Sequence, residues 1–239
     1  MSTQAVTLVN IGNTHTQYAT ARDGVIGKIC RCHSAGLPAE MFPEGTPLAV
    51  ASVVPDAVQR LAPHCPFLIT NRIRSGVDWS KADTSTLGAD RIANAIGLRH
   101  YFALPAVCID LGTAITFEVL DKQGRFLGGS IAPGRMLLRR ALHSYTAQLP
   151  LLEMDDKFPA EGIGGNTIDA LRCGIDGGAI GMVKGLMDRI ENYFGGRVNF
   201  VAVGGDRTFF LRNLAGLSDG GEDFTLRGIL IAWELNHEN

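Results

Sequence analysis

Near its start the chain alternates short apolar runs with polar, glycine-bearing breaks. "AVTLVN" leads through Ile11-Gly12-Asn13-Thr14 into a second mixed run, which breaks again at "ARDGV". This pattern predicts a β-hairpin followed by a further turn. "TPLAVASVVPDAVQRLAP" predicts a buried strand from Leu48 to Val54 and a helix opened by Pro55-Asp56, where the missing proline N–H costs least. "FLIT" predicts another short strand. From Ile92 to Phe102 apolar residues recur at helical spacing, so "STLGADRIANAIGLRHYFALP" predicts a helix that stops before Pro105 and carries Asp90 and Arg91 in its first turn.

The second half opens in the same way, with "CIDLGTAITFEVLDKQGRF". A shift of 100 positions lays Asn10, Gly12, Thr16 and Gly24 on Asp110, Gly112, Thr116 and Gly124. Such a repeat predicts a duplicated α/β domain, divided into residues 1–104 and 105–239. No low-complexity linker separates the halves, so they are expected to pack around a shared cleft. Beyond the hairpin, "GGSIAPGRMLLRRALHSYTAQLP" predicts a tight turn and a helix from about Met136, with Leu137, Leu138, Ala141 and Leu142 on its buried side. "IGGNTIDALRCGIDGGAIGMVKGLMDRIENYFGG" predicts a largely helical stretch. Its glycines at 174, 177, 178, 181 and 185 weaken helix propensity and are expected to mark close backbone packing. "VNFVAVGGDRTFFLRNL" predicts a strand, a turn of Gly204, Gly205 and Asp206, and a helix, and "TLRGILIAWELN" a closing helix.

Composition narrows the partners. With 239 residues, 46% of them hydrophobic and 19% charged, the chain can bury a sizeable core. A net charge of -2 gives no electrostatic reason for nucleic acid or an anionic membrane, so a small-molecule partner is expected. No apolar run reaches the roughly 20 residues of a membrane helix, and the first residues lack the order of a signal peptide; the expected location is cytoplasmic. The five cysteines show no metal-ligand spacing and the histidines no H-E-x-x-H, which argues against a zinc site.

The chain has neither a P-loop nor a G-x-G-x-x-G fingerprint. A hairpin turn with Gly and Thr can instead offer N–H groups and a hydroxyl to phosphate, glycine allowing close approach, while an Asp at the strand end holds a cation. Two such turns, with the Gly-Gly-Asp turn at 204–206, resemble the actin, sugar-kinase and Hsp70 superfamily. That resemblance implies an α/β fold of two duplicated ribonuclease-H-like domains around a nucleotide cleft.

Five segments make the resemblance more specific: "LGADRIANAIG", "DLGTAITFEV", "GGSIAPGRMLLRRAL", "TAQLP" and "GIGGNTIDALRCG". In this order and spacing they are similar to the type III pantothenate kinases over nearly the whole chain. The family transfers the ATP γ-phosphoryl group to pantothenate, the committed step towards coenzyme A. The resemblance implies a homodimer, Mg²⁺, and a monovalent cation such as K⁺ or NH₄⁺. It implies Asp90 as the base, with Gly88, Ala89, Asp90 and Arg91 against pantothenate or a similar small hydroxy acid. Asn10, Ile11, Gly12, Asn13, Thr14 and Thr113 are the implied ATP contacts and Asp110 the implied cation ligand. Thr167 is the residue implied to reach the neighbouring subunit's substrate. A carboxylate near the attacking hydroxyl can take its proton, and an arginine can fix an anionic substrate.

Two departures stand out. The family's first turn begins with Asp; here it is Asn10, which keeps the shape and one acceptor oxygen but loses a charge. Where the family has Tyr-x-x-Pro before the Gly-x-Asp-Arg segment, this chain has Lys81 and Thr84, with Trp79 nearby as a substitute for the tyrosine. Two readings follow: a working kinase, or a catalytically weakened relative that binds nucleotide or pantothenate as a regulator or partner.

Overall fold

A computed structural model of the chain describes residues 5–35, 41–42, 45–157, 159 and 161–237. The first sheet contains β1 (Val6–Ile11), β2 (His15–Arg22), β3 (Val25–Ile26), β4 (Cys30–His33), β5 (Leu48–Ser52) and β6 (Phe67–Leu68). Its order is β3-β2-β1-β5-β6, with β4 also paired to β2. β1 and β2 are antiparallel, whereas β1 with β5 and β5 with β6 run parallel. Parallel neighbours need a crossover, which α1 (Pro55–Leu61) supplies between β5 and β6. The central strand β1 buries residues of both parities, including Leu8, Val9 and Ile11, as expected of a strand covered on both faces. Val9 and Ile11 join Phe42, Leu48, Val50, Ala57 and Leu61 in one core cluster.

The second sheet repeats the plan with β7 (Ala106–Leu111), β8 (Ala114–Leu120), β9 (Phe126–Gly128), β10 (Ile131–Pro133), β11 (Asn199–Val203) and β12 (Leu217–Asp219). Its order is β10-β8-β7-β11-β12, with β9 on β8. In each sheet the hairpin lies on one side and two later strands lie beyond its first strand. This is the α/β architecture of duplicated ribonuclease-H-like units.

The repeat slips once inside the hairpins. Gly12 N–H bonds to His15 O, whereas Gly112 N–H bonds to Ala114 O, both at 3.1 Å, so the second turn is one residue shorter. The next turn regains it: Asp23 and Gly24 lie between the paired Arg22 and Val25, whereas Lys122, Gln123 and Gly124 lie between Asp121 and Arg125. Between the two turns the equivalent of Thr16 is therefore Ile115 rather than Thr116, and both are buried.

Two compact units emerge from the chain's contacts. One comprises Met1–Ala106, Glu118–Gly128 and Gly220–Asn239; the other comprises Val107–Phe117 and Gly129–Asp219. The proposed division between residues 104 and 105 marks the sequence repeat, while the contacts return the last helix to the first unit. There α2 (Ala89–Tyr101) packs against α7 (Phe224–His237). A Cβ on Gly228 would overlap Ala93 O and stand 2.7 Å from Ala93 C, and one on Gly97 would stand 3.2 Å from Phe224 Cζ. Beside this close approach, the buried Thr225 hydroxyl donates to Asn94 Oδ1 at 2.8 Å.

The second unit holds α3 (Arg135–Ser144), α4 (Thr167–Arg172), a π-helical turn at Cys173–Gly177, α5 (Gly178–Phe194) and α6 (Arg207–Asn213). Two expectations are corrected here. The buried side chains of α3 are Arg135 and Arg139, while Leu137 and Leu142 are 43% and 37% exposed. The arginines go inward because carboxylates wait for them there. The glycines of the α4–α5 segment make no close backbone packing among the described residues: a Cβ at 174, 177, 178, 181 or 185 would meet nothing within 4 Å there. The described cysteines are free thiols, and no described helix is long and apolar enough to cross a membrane.

Replacing Gly228 by Ala is expected to destabilise the protein by about 1–3 kcal/mol, since a methyl group cannot fit against the α2 backbone. Urea unfolding checks this, and an unchanged midpoint would show that α2 and α7 tolerate separation.

Candidate active site

The first turn follows directly from the end of β1. Asn10 is paired with Gln17 across the hairpin, and Gln17 with Arg31 on β4. Gln17 Nε2 donates to Glu222 O at 2.7 Å, and Arg31 Nη2 lies 3.2 Å from Glu222 Oε2. Thr14 O accepts from Ser34 N at 3.0 Å, which braces the turn from β4, and Asn13 stays exposed at its tip. The amide oxygen of Asn10 is buried and has no hydrogen-bond partner among the described residues.

Asp90 is linked to this turn through Val53, within the same unit. Val53 N–H donates to Ile11 O at 3.1 Å, joining the chain after β5 to the end of β1. A Cβ on Gly88 would stand 3.2 Å from Val53 Cγ1 and 2.6 Å from Asp90 Oδ1, so the absence of a side chain lets both approach it as they do. Gly88 caps α2, Ala89 begins it, and Asp90 Oδ1 accepts from Arg91 N at 2.8 Å. Burial pushes the Asp90 carboxyl above its ordinary range, against the hydrogen bond from Arg91 N–H and the Arg91 charge, which pull it down. Arg91 Nε lies 2.7 Å from Oε1 of the fully buried Glu118 on β8, which fixes the direction of the guanidinium.

The second turn, in the other unit, is enclosed by backbone. Gly134 N–H donates to Thr113 O at 3.0 Å, and a Cβ on Gly134 would overlap Gly112 O and stand 2.7 Å from Thr113 O. Gly204, at φ +89°, would place a Cβ against Asp110 Oδ1 and 2.6 Å from Leu111 O. Asp206 N–H donates to Leu111 O at 2.9 Å. The glycines of "APGR" and "VGGD" thus close on the "DLGT" turn, leaving the Thr113 side chain exposed.

Other expected residues stand elsewhere. Thr167 is exposed at the first residue of α4, and the helix cap is its neighbour Asn166, whose side chain accepts from Asp169 N. The Trp79 ring lies 5.3 Å from that of Phe126, and its indole N–H donates to Ser75 Oγ. The Thr84 hydroxyl accepts from Asn71 Nδ2 at 2.7 Å, and Lys81 is exposed. Sequence reasoning missed Val53, Glu118, Gly134 and the inward-facing Arg135. A carboxylate in the apolar run "TFEVL" was the signal available for Glu118.

Chemically, a desolvated carboxylate beside a fixed arginine suits proton removal from a hydroxyl on an anionic substrate. The two glycine turns suit phosphate oxygens.

Comparison with known proteins points the same way. A family profile for type III pantothenate kinase matches residues 7–189. The type III pantothenate kinase of Akkermansia muciniphila is 37% identical over 78% of this chain and 78% of its own length. That of Methylacidiphilum infernorum is 34% identical over 95% of this chain and 88% of its own. A Campylobacter jejuni crystal structure assigned to the Baf transcriptional-activator family superposes with a TM-score of 0.70. It shares 18% identity and covers 95% of this chain and 97% of its own, a likeness of fold.

The raised Asp90 pKa has a consequence for stability. The folded protein holds the Asp90 proton more tightly than the unfolded chain, so this group's contribution falls as pH rises through the raised value. Asp90→Asn is therefore expected to raise the melting temperature near neutral pH, with the gain shrinking as pH falls towards the ordinary carboxylate range. A loss of stability at neutral pH would mean that the carboxylate is not strained by burial.

Proposed function

The chain belongs to the type III pantothenate kinase family, and we propose that it transfers the γ-phosphoryl group of ATP to the hydroxyl of pantothenate, opening coenzyme A biosynthesis in the cytoplasm. The observation that carries this reading is the link from the first turn through Val53 and Gly88 to a buried carboxylate of raised proton affinity.

Asp90 takes the proton of the pantothenate hydroxyl as that oxygen attacks the γ-phosphorus; the O–H electron pair becomes the new O–P bond, and ADP leaves. Arg91, oriented by Glu118, holds the pantothenate carboxylate, and the backbone of Gly88 and Ala89 lies along the substrate. The turn of Ile11, Gly12, Asn13 and Thr14, with the backbone N–H groups at its tip, takes the phosphates together with Thr113.

Cations fit the residues present. Asn10 supplies a buried oxygen without a donor, which suits Mg²⁺, and Asp110 supplies a carboxylate beside Gly204, which suits K⁺ or NH₄⁺. The divalent ion contributes charge neutralisation on the triphosphate. With Asn10 neutral, more of that neutralisation falls to the backbone donors.

The same reading includes a homodimer. Gly174, Gly178, Gly181 and Gly185 follow helical spacing with open space over each, while Leu137, Leu142 and Tyr145 are exposed in the same unit. A second copy's helix approaching this glycine face accounts for both, and Thr167 then reaches the partner's substrate.

Asp90→Asn is expected to lower turnover by ~10²–10⁴-fold in a coupled ADP-release assay that depends on pantothenate. Asn10→Asp is expected to raise turnover at limiting Mg²⁺. If both substitutions are silent, neither residue has its assigned role, and ATP binding without turnover in the native protein would favour the weakened relative. Gly181→Leu, at a position where a Cβ meets nothing within 4 Å among the described residues, is expected to give an inactive monomer in sedimentation; a dimer of unchanged activity would remove the glycine face from the interface.

A further inference from the structure

The most heavily bonded side chain outside the catalytic residues is Arg135. It is 1% exposed, and all three edges of its guanidinium are occupied. Nε lies 2.7 Å from Asp176 Oδ1, Nη1 lies 2.8 Å from Asp206 Oδ1 and 3.5 Å from Asp156 Oδ1, and Nη2 donates to Asp155 O. Its Cζ stands 3.4 Å above the Phe209 ring. One turn along α3, Arg139 shares Asp176, with Nη2 3.0 Å from Oδ2. Asp176 itself is fully buried on the π-helical turn.

This cluster touches both backbones that close on the second turn. Arg135 directly follows Gly134, whose N–H holds Thr113 O. Its partner Asp206 directly follows Gly204 and Gly205, and the Asp206 N–H holds Leu111 O. The Arg135–Asp206 pair therefore ties the start of α3 to the turn before α6, with Gly112 and Thr113 between their anchors. Burial raises the Asp206 carboxyl above its ordinary range while the Arg135 charge and hydrogen bond pull it down.

We propose that Arg135, through Asp206 and Asp176, is a positioning residue for the ATP phosphates: it fixes the spacing between Gly134 and Gly204 and so the shape of the Gly112-Thr113 turn. This rests on the reading of Thr113 as an ATP contact. A planar guanidinium suits the role, because it bonds along several edges at once where an ammonium cannot.

The test is steady-state kinetics of the full chain, varying ATP and pantothenate separately. Asp206→Asn keeps the side-chain shape and the backbone bond to Leu111 O but weakens the charge pair; Arg135→Lys keeps the charge but loses the fork. Both are expected to raise KM for ATP about tenfold or more while KM for pantothenate stays within about twofold. Arg212→Ala removes a surface partner of Asp156 and is expected to leave both constants unchanged. Circular dichroism verifies folding, and Asp206→Asn carries the test alone should the lysine variant not fold. Parallel rises in both KM values, or no change in either, in a folded variant would overturn the proposal. Thr113→Val separates the two readings: if it raises KM for ATP while the cluster variants do not, the cluster is only structural. If Thr113→Val is silent too, the turn is not an ATP site and both readings fall.

Discussion

Two backbones can meet around the Gly112-Thr113 turn only because no side chain stands between them. A methyl group on Gly134 would overlap Gly112 O, and one on Gly204 would press on Asp110. The hydrogen bonds from Gly134 to Thr113 and from Asp206 to Leu111 depend on that closeness. So does the departure of α3 and α6 from the same end of the second sheet. The first unit uses the same device in a milder form, with Gly88 wedged between Val53 and the carboxylate it accompanies. Absence of side chain is thus the common condition for placing charge-bearing groups near the strand ends.

The elements legible in the sequence were those whose own residues carry the signal. β1 and β7 are mostly apolar runs that reach Asn10 and Asp110 beside a glycine turn, and α2 shows helical spacing over its length. β3 is two residues long, too short to show a period, and its strand character comes from pairing, while β6 keeps only Phe67 and Leu68 of the expected "FLIT" strand. α3 was misread because its leucines look like a core stripe. The carboxylates that draw Arg135 and Arg139 inward lie 21 to 71 positions along the chain, where local pattern cannot point. The glycines of α5 were read as marking close packing, and no approaching group is found among the described residues. At the site, Gly-x-Asp-Arg was visible as a motif, but the supports of Asp90 and Arg91 come from β5 and β8 through tertiary contact.

Asn10 shows how a single charge can be lost while the loop around it remains. The turn keeps its hairpin register and its brace from Ser34. What remains is a buried acceptor with no donor among the described residues, a condition that costs about 1–3 kcal/mol in an interior. A ligand that meets the oxygen returns that energy.

The first unit is written at both ends of the chain. α2 presents Ala93, Asn94 and Gly97 to α7, yet 122 residues separate Tyr101 from Phe224. During translation, at roughly 5–20 residues per second, that interval lasts on the order of ten seconds. Throughout it the nascent α2 face has no mate, while the whole second unit emerges and can close. The later-encoded unit can thus be complete while the earlier one still waits for its last helix, and the bare groove on α2 is the surface a chaperone would meet.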